Sequence, residues 1–176
     1  MTALSLAGCY TALVTPFRDG RIDWDSFRRL IEDQIQNGID GLVPMGTTGE
    51  SPTVTMEEHK EVIRVAVETV NGRCPVIAGT GANNTEEAIE LTRYARAVGA
   101  DATLQVTPYY NKPSQEGLYR HFSKVADDGQ LPVVLYNVPG RTGREIAIET
   151  VTRLARNTNI IAIKEAAGSV DRVAEI

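Results

Sequence analysis

Four lysines occur along the 176 residues, at positions 60, 112, 124 and 164. Lys60, Lys112 and Lys124 fall in helical or loop contexts, where an ammonium is simply solvated. Lys164 differs, because it follows Ile160-Ile-Ala-Ile163 at the end of an apolar run. An ammonium held among apolar groups loses hydration, which lowers its pKa and enlarges the neutral, nucleophilic fraction. That is what an amine needs to attack a carbonyl and form a Schiff base. A lysine snorkelling out at a strand end, or locked in an ion pair, accounts for the same spacing about equally well. Glu165 is adjacent, but strand alternation sends it to the opposite face, so it need not neutralise Lys164.

Other chemistry-bearing residues also follow apolar runs. Tyr136 ends Pro132-Val-Val-Leu-Tyr, where a phenol can pass protons during carbinolamine and imine steps. It can equally be a core tyrosine with a satisfied hydroxyl. Gly46-Thr-Thr-Gly-Glu-Ser51 is a small-residue turn whose backbone N–H groups can approach an anion. It lacks the lysine of a phosphate-binding loop, so a carboxylate is the preferred ligand. Arg141, in Asn137-Val-Pro-Gly-Arg-Thr-Gly143, could grip a second carboxylate in bidentate fashion, or be solvated. Thr107-Pro-Tyr-Tyr-Asn-Lys-Pro113 sets paired aromatics on a loop, to line a site or to pack against another subunit.

The elements that must carry these residues alternate. Short apolar runs at Gly8–Val14, Gly41–Met45, Pro75–Ala78, Ala102–Val106, Pro132–Tyr136 and Ile160–Ile163 read as buried parallel strands. Between them lie amphipathic helices. Asp23 caps one that carries Phe27, Leu30, Ile31 and Ile35. Thr55 with Glu58, and Asn84 with Glu87, form capping boxes for two more. Later helices run from about Ser114 to Asp127 and from about Ile146 to Arg156. The rhythm repeats about every 30 residues, the size of a βαβ unit. No G-x-G-x-x-G follows the first strand, and the polar residues cluster at strand C-terminal ends. Both points favour a (β/α)8 barrel over an open doubly wound sheet. Six strands are visible where eight close such a barrel. Residues 1–176 are therefore expected to be an incomplete TIM-barrel domain of roughly the first six βα units.

A net charge of −5 and a pI near 5.1 argue against nucleic-acid or anionic-membrane partners. No apolar run approaches the ~20 residues that span a bilayer, and Met1–Gly8 lacks a secretory signal's positive region. Cys9 and Cys74 are expected as buried, reduced thiols, which suits a cytoplasmic setting. His59 and His121 have no neighbours at ligand spacing, so no metal is expected.

Together, Gly8-Cys-Tyr-Thr-Ala-Leu-Val-Thr-Pro-Phe17, Gly46–Ser51, Thr107–Pro113, Leu135–Gly143 and Ile161-Ala-Ile-Lys-Glu165 resemble the dihydrodipicolinate synthase family of pyruvate-dependent Schiff-base aldolases. The resemblance covers essentially the whole chain. It implies that Lys164 forms an imine with pyruvate, whose enamine attacks L-aspartate 4-semialdehyde on the diaminopimelate route to lysine. It implies a proton relay of Thr47, Tyr110 and Tyr136, with Tyr110 reaching into a neighbouring subunit. Thr48 would bind the pyruvate carboxylate and Arg141 that of the aldehyde. No organic cofactor or metal is implied, and the complete enzyme is expected as a homotetramer of tight dimers. Ser51, His59, Asn83, Glu87 and Tyr109 match a pocket for inhibitory lysine, although Met56 replaces a histidine common in sensitive enzymes. Gly140-Arg-Thr-Gly143 favours this activity over the related N-acetylneuraminate lyase. The family continues with two more βα units and a helical extension, so a non-catalytic remnant is the other alternative, and poor stability or self-association is expected.

Overall fold

A computed structural model of the chain describes residues 4–176. Met1–Ala3, the start of the stretch read above for a leader, lie outside the described residues. The chain divides into two compact units: residues up to Gly79 with Tyr94–Ala102, and Thr80–Arg93 with Thr103–Ile176.

The first unit contains β1 (Tyr10–Ala12), a short hairpin of β2 (Phe17–Arg18) and β3 (Arg21–Ile22), then α1 (Trp24–Gln36), β4 (Gly41–Val43), α2 (Met56–Val70) and β5 (Ile77–Gly79). β1 pairs with β4 in parallel, Thr11 opposite Leu42. A parallel bridge joins Leu42 to Val76, and Gly79 N donates to Pro44 O at 2.9 Å. The helices form where their ends are paired. Asp23 accepts from Ser26 N at 3.0 Å, starting α1, and Thr55 and Glu58 make the reciprocal capping box of α2. Each helix turns one apolar stripe inward: Phe27 and Ile31 from α1, and Val62, Ile63, Val65 and Ala66 from α2.

α3 (Thr85–Val98) and β6 (Ala102–Val106) each contribute residues to both units. The second unit continues with α4 (Gln115–Gly129), β7 (Val133–Asn137), a single turn α5 (Pro139–Thr142), α6 (Ile148–Leu154), β8 (Ile160–Glu165) and α7 (Val170–Glu175). β6, β7 and β8 are parallel neighbours. One face of β7 buries Val133 and Leu135 against Leu118, Phe122 and Ala126 of α4 and Leu154 of α6. The other face is left for Val134 and Tyr136. Among helix starts, Asn84 Oδ1 accepts from Glu86 N at 3.1 Å, and Ser114 Oγ from Gly117 N at 3.1 Å.

Some expectations need correction. Cys9 is exposed and Cys74 only half-buried, because both precede their strands and sit at the sheet's rim instead of in its core. The helix expected from about Ile146 to Arg156 runs from Ile148 to Leu154, with Ala147 at its start and Ile146 N donating to Asn137 Oδ1. No described helix is long and apolar enough to cross a membrane.

His121 is the unusual polar member of the second core. It is 6% exposed, shares a hydrogen bond with Thr85 Oγ1 at 2.9 Å, and meets Phe122 edge-on. Burial pushes its pKa down to about 4, so between pH 4 and about 6.5 the unfolded chain binds the extra proton. Stability therefore falls as the pH drops through that window. Urea unfolding of His121→Gln should show a flatter dependence between pH 6.5 and 4 than the parent chain; parallel curves would refute this.

Candidate active site

The second unit places Lys164 and Tyr136 side by side. Val133 pairs with Ile160, but Val134 pairs with Ala162, so Ile161 is an extra residue in β8. That bulge shifts the register by one. Tyr136 consequently lies opposite Lys164, where a regular ladder would have set Ile163. The Lys164 Nζ stands 4.4 Å from the centre of the Tyr136 ring. Tyr136 is 8% exposed, and its carbonyl is fixed by Thr107, the residue after β6, through N and Oγ1 at 3.0 Å each.

Lys164 itself is more open than its sequence context suggested. β7 is buried along its whole length, whereas β8 alternates between half-buried and exposed, and Lys164 is exposed. The physical reason is that β8 has a strand partner on one side only among the described strands. Desolvation is nevertheless sufficient to lower the amine's pKa from its ordinary value. Glu165 points to the opposite face, as alternation requires.

Arg141 sits on the single helical turn α5. Its backbone N donates to Val138 O at 2.9 Å and its side chain is exposed. The loop's far end is held by Gln115, which donates to Glu145 O at 2.8 Å and accepts from Ala147 N at 3.0 Å. Sequence reasoning missed Gln115; its place in the first turn of α4, beyond the Tyr-Tyr loop, was the only signal. Tyr110 has a left-handed backbone, φ +70, and is 91% exposed. Neighbouring Asn111 donates through Nδ2 to Asn83 O at 3.1 Å. Tyr109 has its hydroxyl pushed up by burial and then by the nearby Glu87 carboxylate. Asn83, Glu87 and Tyr109 therefore lie near one another in this unit.

The first unit carries Thr47 and Thr48 on a 3-10 turn, Thr47–Gly49, after β4. Met45 enters it with φ +56, a conformation a side chain adopts at a cost. Its carbonyl lies where a Cβ on residue 79 would stand, so only glycine fits there. Gly49 O accepts from buried Thr15 Oγ1 at 2.7 Å, while Thr47 and Thr48 are exposed. Ser51 opens the next turn. His59 is 6% exposed and donates through Nε2 to Gly79 O at 2.7 Å, with its pKa lowered by burial. No cluster of potential metal ligands occurs among the described residues.

Parallel βα units with an amine, a phenol and hydroxyls at their strand C-terminal ends define an α/β protein of the TIM-barrel class. Within that class the sequence model of the dihydrodipicolinate synthetase family matches residues 5–176, and the chain belongs to this family. It is 55% identical over 174 residues to the 4-hydroxy-tetrahydrodipicolinate synthase of Nitratidesulfovibrio vulgaris (strain Miyazaki F), covering 98% of this chain and 60% of that one. The 4-hydroxy-tetrahydrodipicolinate synthase structure from Methylacidiphilum fumariolicum SolV superposes with a TM-score of 0.94 at 56% identity, over 96% of this chain and 56% of that one. A chloride-inhibited dihydrodipicolinate synthase from Acinetobacter baumannii, complexed with pyruvate, gives 0.92 at 53% identity, over 94% and 57%. The chain thus spans well under two thirds of the length of these relatives.

The lowered pKa of Lys164 has a direct consequence. Lys124 is shifted the other way by its hydrogen bond to Asp128 at 2.6 Å. Each unit of difference is about a factor of ten in neutral amine. Competitive acetylation near pH 8 with peptide mapping should label Lys164 several-fold faster than Lys124. Equal rates would contradict the assignment.

Proposed function

We propose that this chain carries the Schiff-base chemistry of a 4-hydroxy-tetrahydrodipicolinate synthase. The neutral Lys164 amine adds to the ketone carbon of pyruvate, water leaves, and an imine forms. Loss of a methyl proton gives the enamine, which attacks the aldehyde carbon of L-aspartate 4-semialdehyde. The observation that carries the reading is the amine held 4.4 Å over the Tyr136 ring with its pKa lowered by desolvation. Family membership and the pyruvate complex of the Acinetobacter relative support it. The imine nitrogen is the electron sink, so the reaction requires no metal or organic cofactor.

In this reading Tyr136, Thr47 and Tyr110 pass the protons, Thr48 receives the pyruvate carboxylate and Arg141 that of the aldehyde. A side chain as exposed as Tyr110, on a left-handed residue, suits insertion into another copy of the chain. A homotetramer of dimers and a cytoplasmic setting belong to the same proposal, resting on the family membership. The family resemblance assigns Ser51, His59, Asn83, Glu87 and Tyr109 to binding of inhibitory lysine, and that assignment is part of the same proposal. The half-exposed β8, with Ile161, Val170, Val173 and Ile176 also exposed, favours a second reading in which the chain forms the imine without completing turnover.

Pyruvate followed by borohydride should leave a reduced adduct on Lys164, found by peptide mass mapping, and Lys164→Ala should abolish it. An unmodified Lys164 in a folded sample would refute the imine mechanism. Arg141→Ala should keep the adduct and cut condensation by at least roughly tenfold, as expected for a lost charged contact. If condensation is active, added L-lysine should slow initial rates; flat rates would remove the inhibitor pocket.

A further inference from the structure

Behind the Lys164–Tyr136 pair, on the opposite face of the same two strands, lies a polar cluster that the proposed reaction does not use. Glu165 turns there, with its side chain 7% exposed. Its carboxylate accepts from Asn137 Nδ2 on both oxygens at 2.9 Å, from Ala167 N at 2.7 Å and from Arg172 Nε at 2.8 Å. Burial by itself pushes this carboxyl up, but the donors and the guanidinium charge more than reverse that and leave it below its ordinary value.

Arg172, 11% exposed, also donates through Nη2 to Ile146 O and pairs through Nη1 with Glu145 at 3.4 Å. Asn137 completes the set, its Oδ1 accepting from Ile146 N at 3.0 Å. Ala166 N donates to Asn137 O at 2.9 Å. The ends of β7 and β8, the far end of the Arg141 loop and the first turn of α7 are thereby tied together.

We propose that Arg172 and Asn137 hold Glu165 as a neutralised, outward-turned carboxylate, which positions the Lys164 amine and insulates it from charge. This rests on the reading of Lys164 as the imine-forming residue. Arg172 and Glu165 act as positioning residues, because their hydrogen bonds run to each other, Asn137, Ala167 and Ile146 and not to the Lys164 amine. An uncompensated carboxylate one residue away would favour the ammonium form and suppress attack; an uncompensated guanidinium would do the reverse. As a pair they cancel. The other ionisable groups on the elements around these strand ends are Tyr136, Arg141, Arg144, Glu145 and the exposed Asp171 and Glu175 of α7. Tyr136 presents its ring to the amine, Glu145 is engaged by Arg172, Arg141 lies on α5 and Arg144 just beyond it. Desolvation is the cause of the lowered Lys164 pKa, with no charged neighbour among its causes.

The test is the pH dependence of pyruvate uptake on Lys164, quenched with borohydride after a fixed time and read by peptide mass. Arg172→Met should move the midpoint up by about half to one pH unit. Glu165→Gln should move it down by a similar amount, the size expected of one charge at about 10 Å in a partly polar medium. The double variant should return to the parent midpoint. Loss of stability alone does not produce shifts of opposite sign. Coincident midpoints, or shifts in one direction, would overturn the inference. If circular dichroism shows Arg172→Met to be unfolded, the Glu165→Gln shift decides by itself. A parent chain that takes up no pyruvate sinks the imine reading and this inference with it; a parent that reacts while the Glu165→Gln profile stays put sinks only the insulation.

Discussion

The register between β7 and β8 is the constraint on which the rest of the candidate chemistry depends. A single extra residue, Ile161, sets Lys164 across from Tyr136 instead of Ile163. The strands must therefore pair along their whole length for the amine and the ring to meet. Apolar packing enforces this from outside the sheet, where Val133 and Leu135 are clamped by α4 and α6. Because side chains alternate with a period of two, a one-residue slip of β8 would exchange its faces and turn the amine towards the helices. The helix core and the reactive pair are thus two readings of one alignment.

Two effects compete at Lys164. The Tyr136 ring attracts the cation and favours the protonated amine. Partial withdrawal from water favours the neutral form and prevails, since the pKa is lowered. β8 is covered on one edge alone among the described strands. Any group packing against the uncovered edge would deepen the desolvation, so the reactivity of this amine is tied to how well its strand is enclosed.

Much of the architecture was legible in the sequence, for identifiable reasons. Six apolar runs gave six strands because parallel strands bury both faces and so carry unbroken hydrophobic stretches. Asp23, Thr55 with Glu58, and Ser114 announced their helices because side-chain caps are local chemistry. The β2–β3 hairpin escaped notice although Asp19-Gly20 is a turn signal, since its strands are two residues long and largely charged or exposed. The Ile161 bulge was hidden inside Ile160-Ile-Ala-Ile163, because register is a relation between strands and no single strand encodes it. For the same reason Lys164 and Tyr136 could be nominated separately, while their 4.4 Å approach could not. The exposure of Cys9 and of Lys164 was misjudged where a strand's end or edge lacks cover, which composition does not reveal.

The turn bearing Thr47 and Thr48 owes its path to an atom that is missing. Gly79 leaves room for the Met45 carbonyl, and Met45 then swings the chain into the hydroxyl-bearing turn. The same glycine offers its own carbonyl to His59. A breeder of new specificities who randomised position 79 would therefore recover an almost uniform library, since even one methyl group reshapes the neighbouring loop. Diversity would have to be sought along the rim, where side chains already face outward and the scaffold tolerates being rewritten.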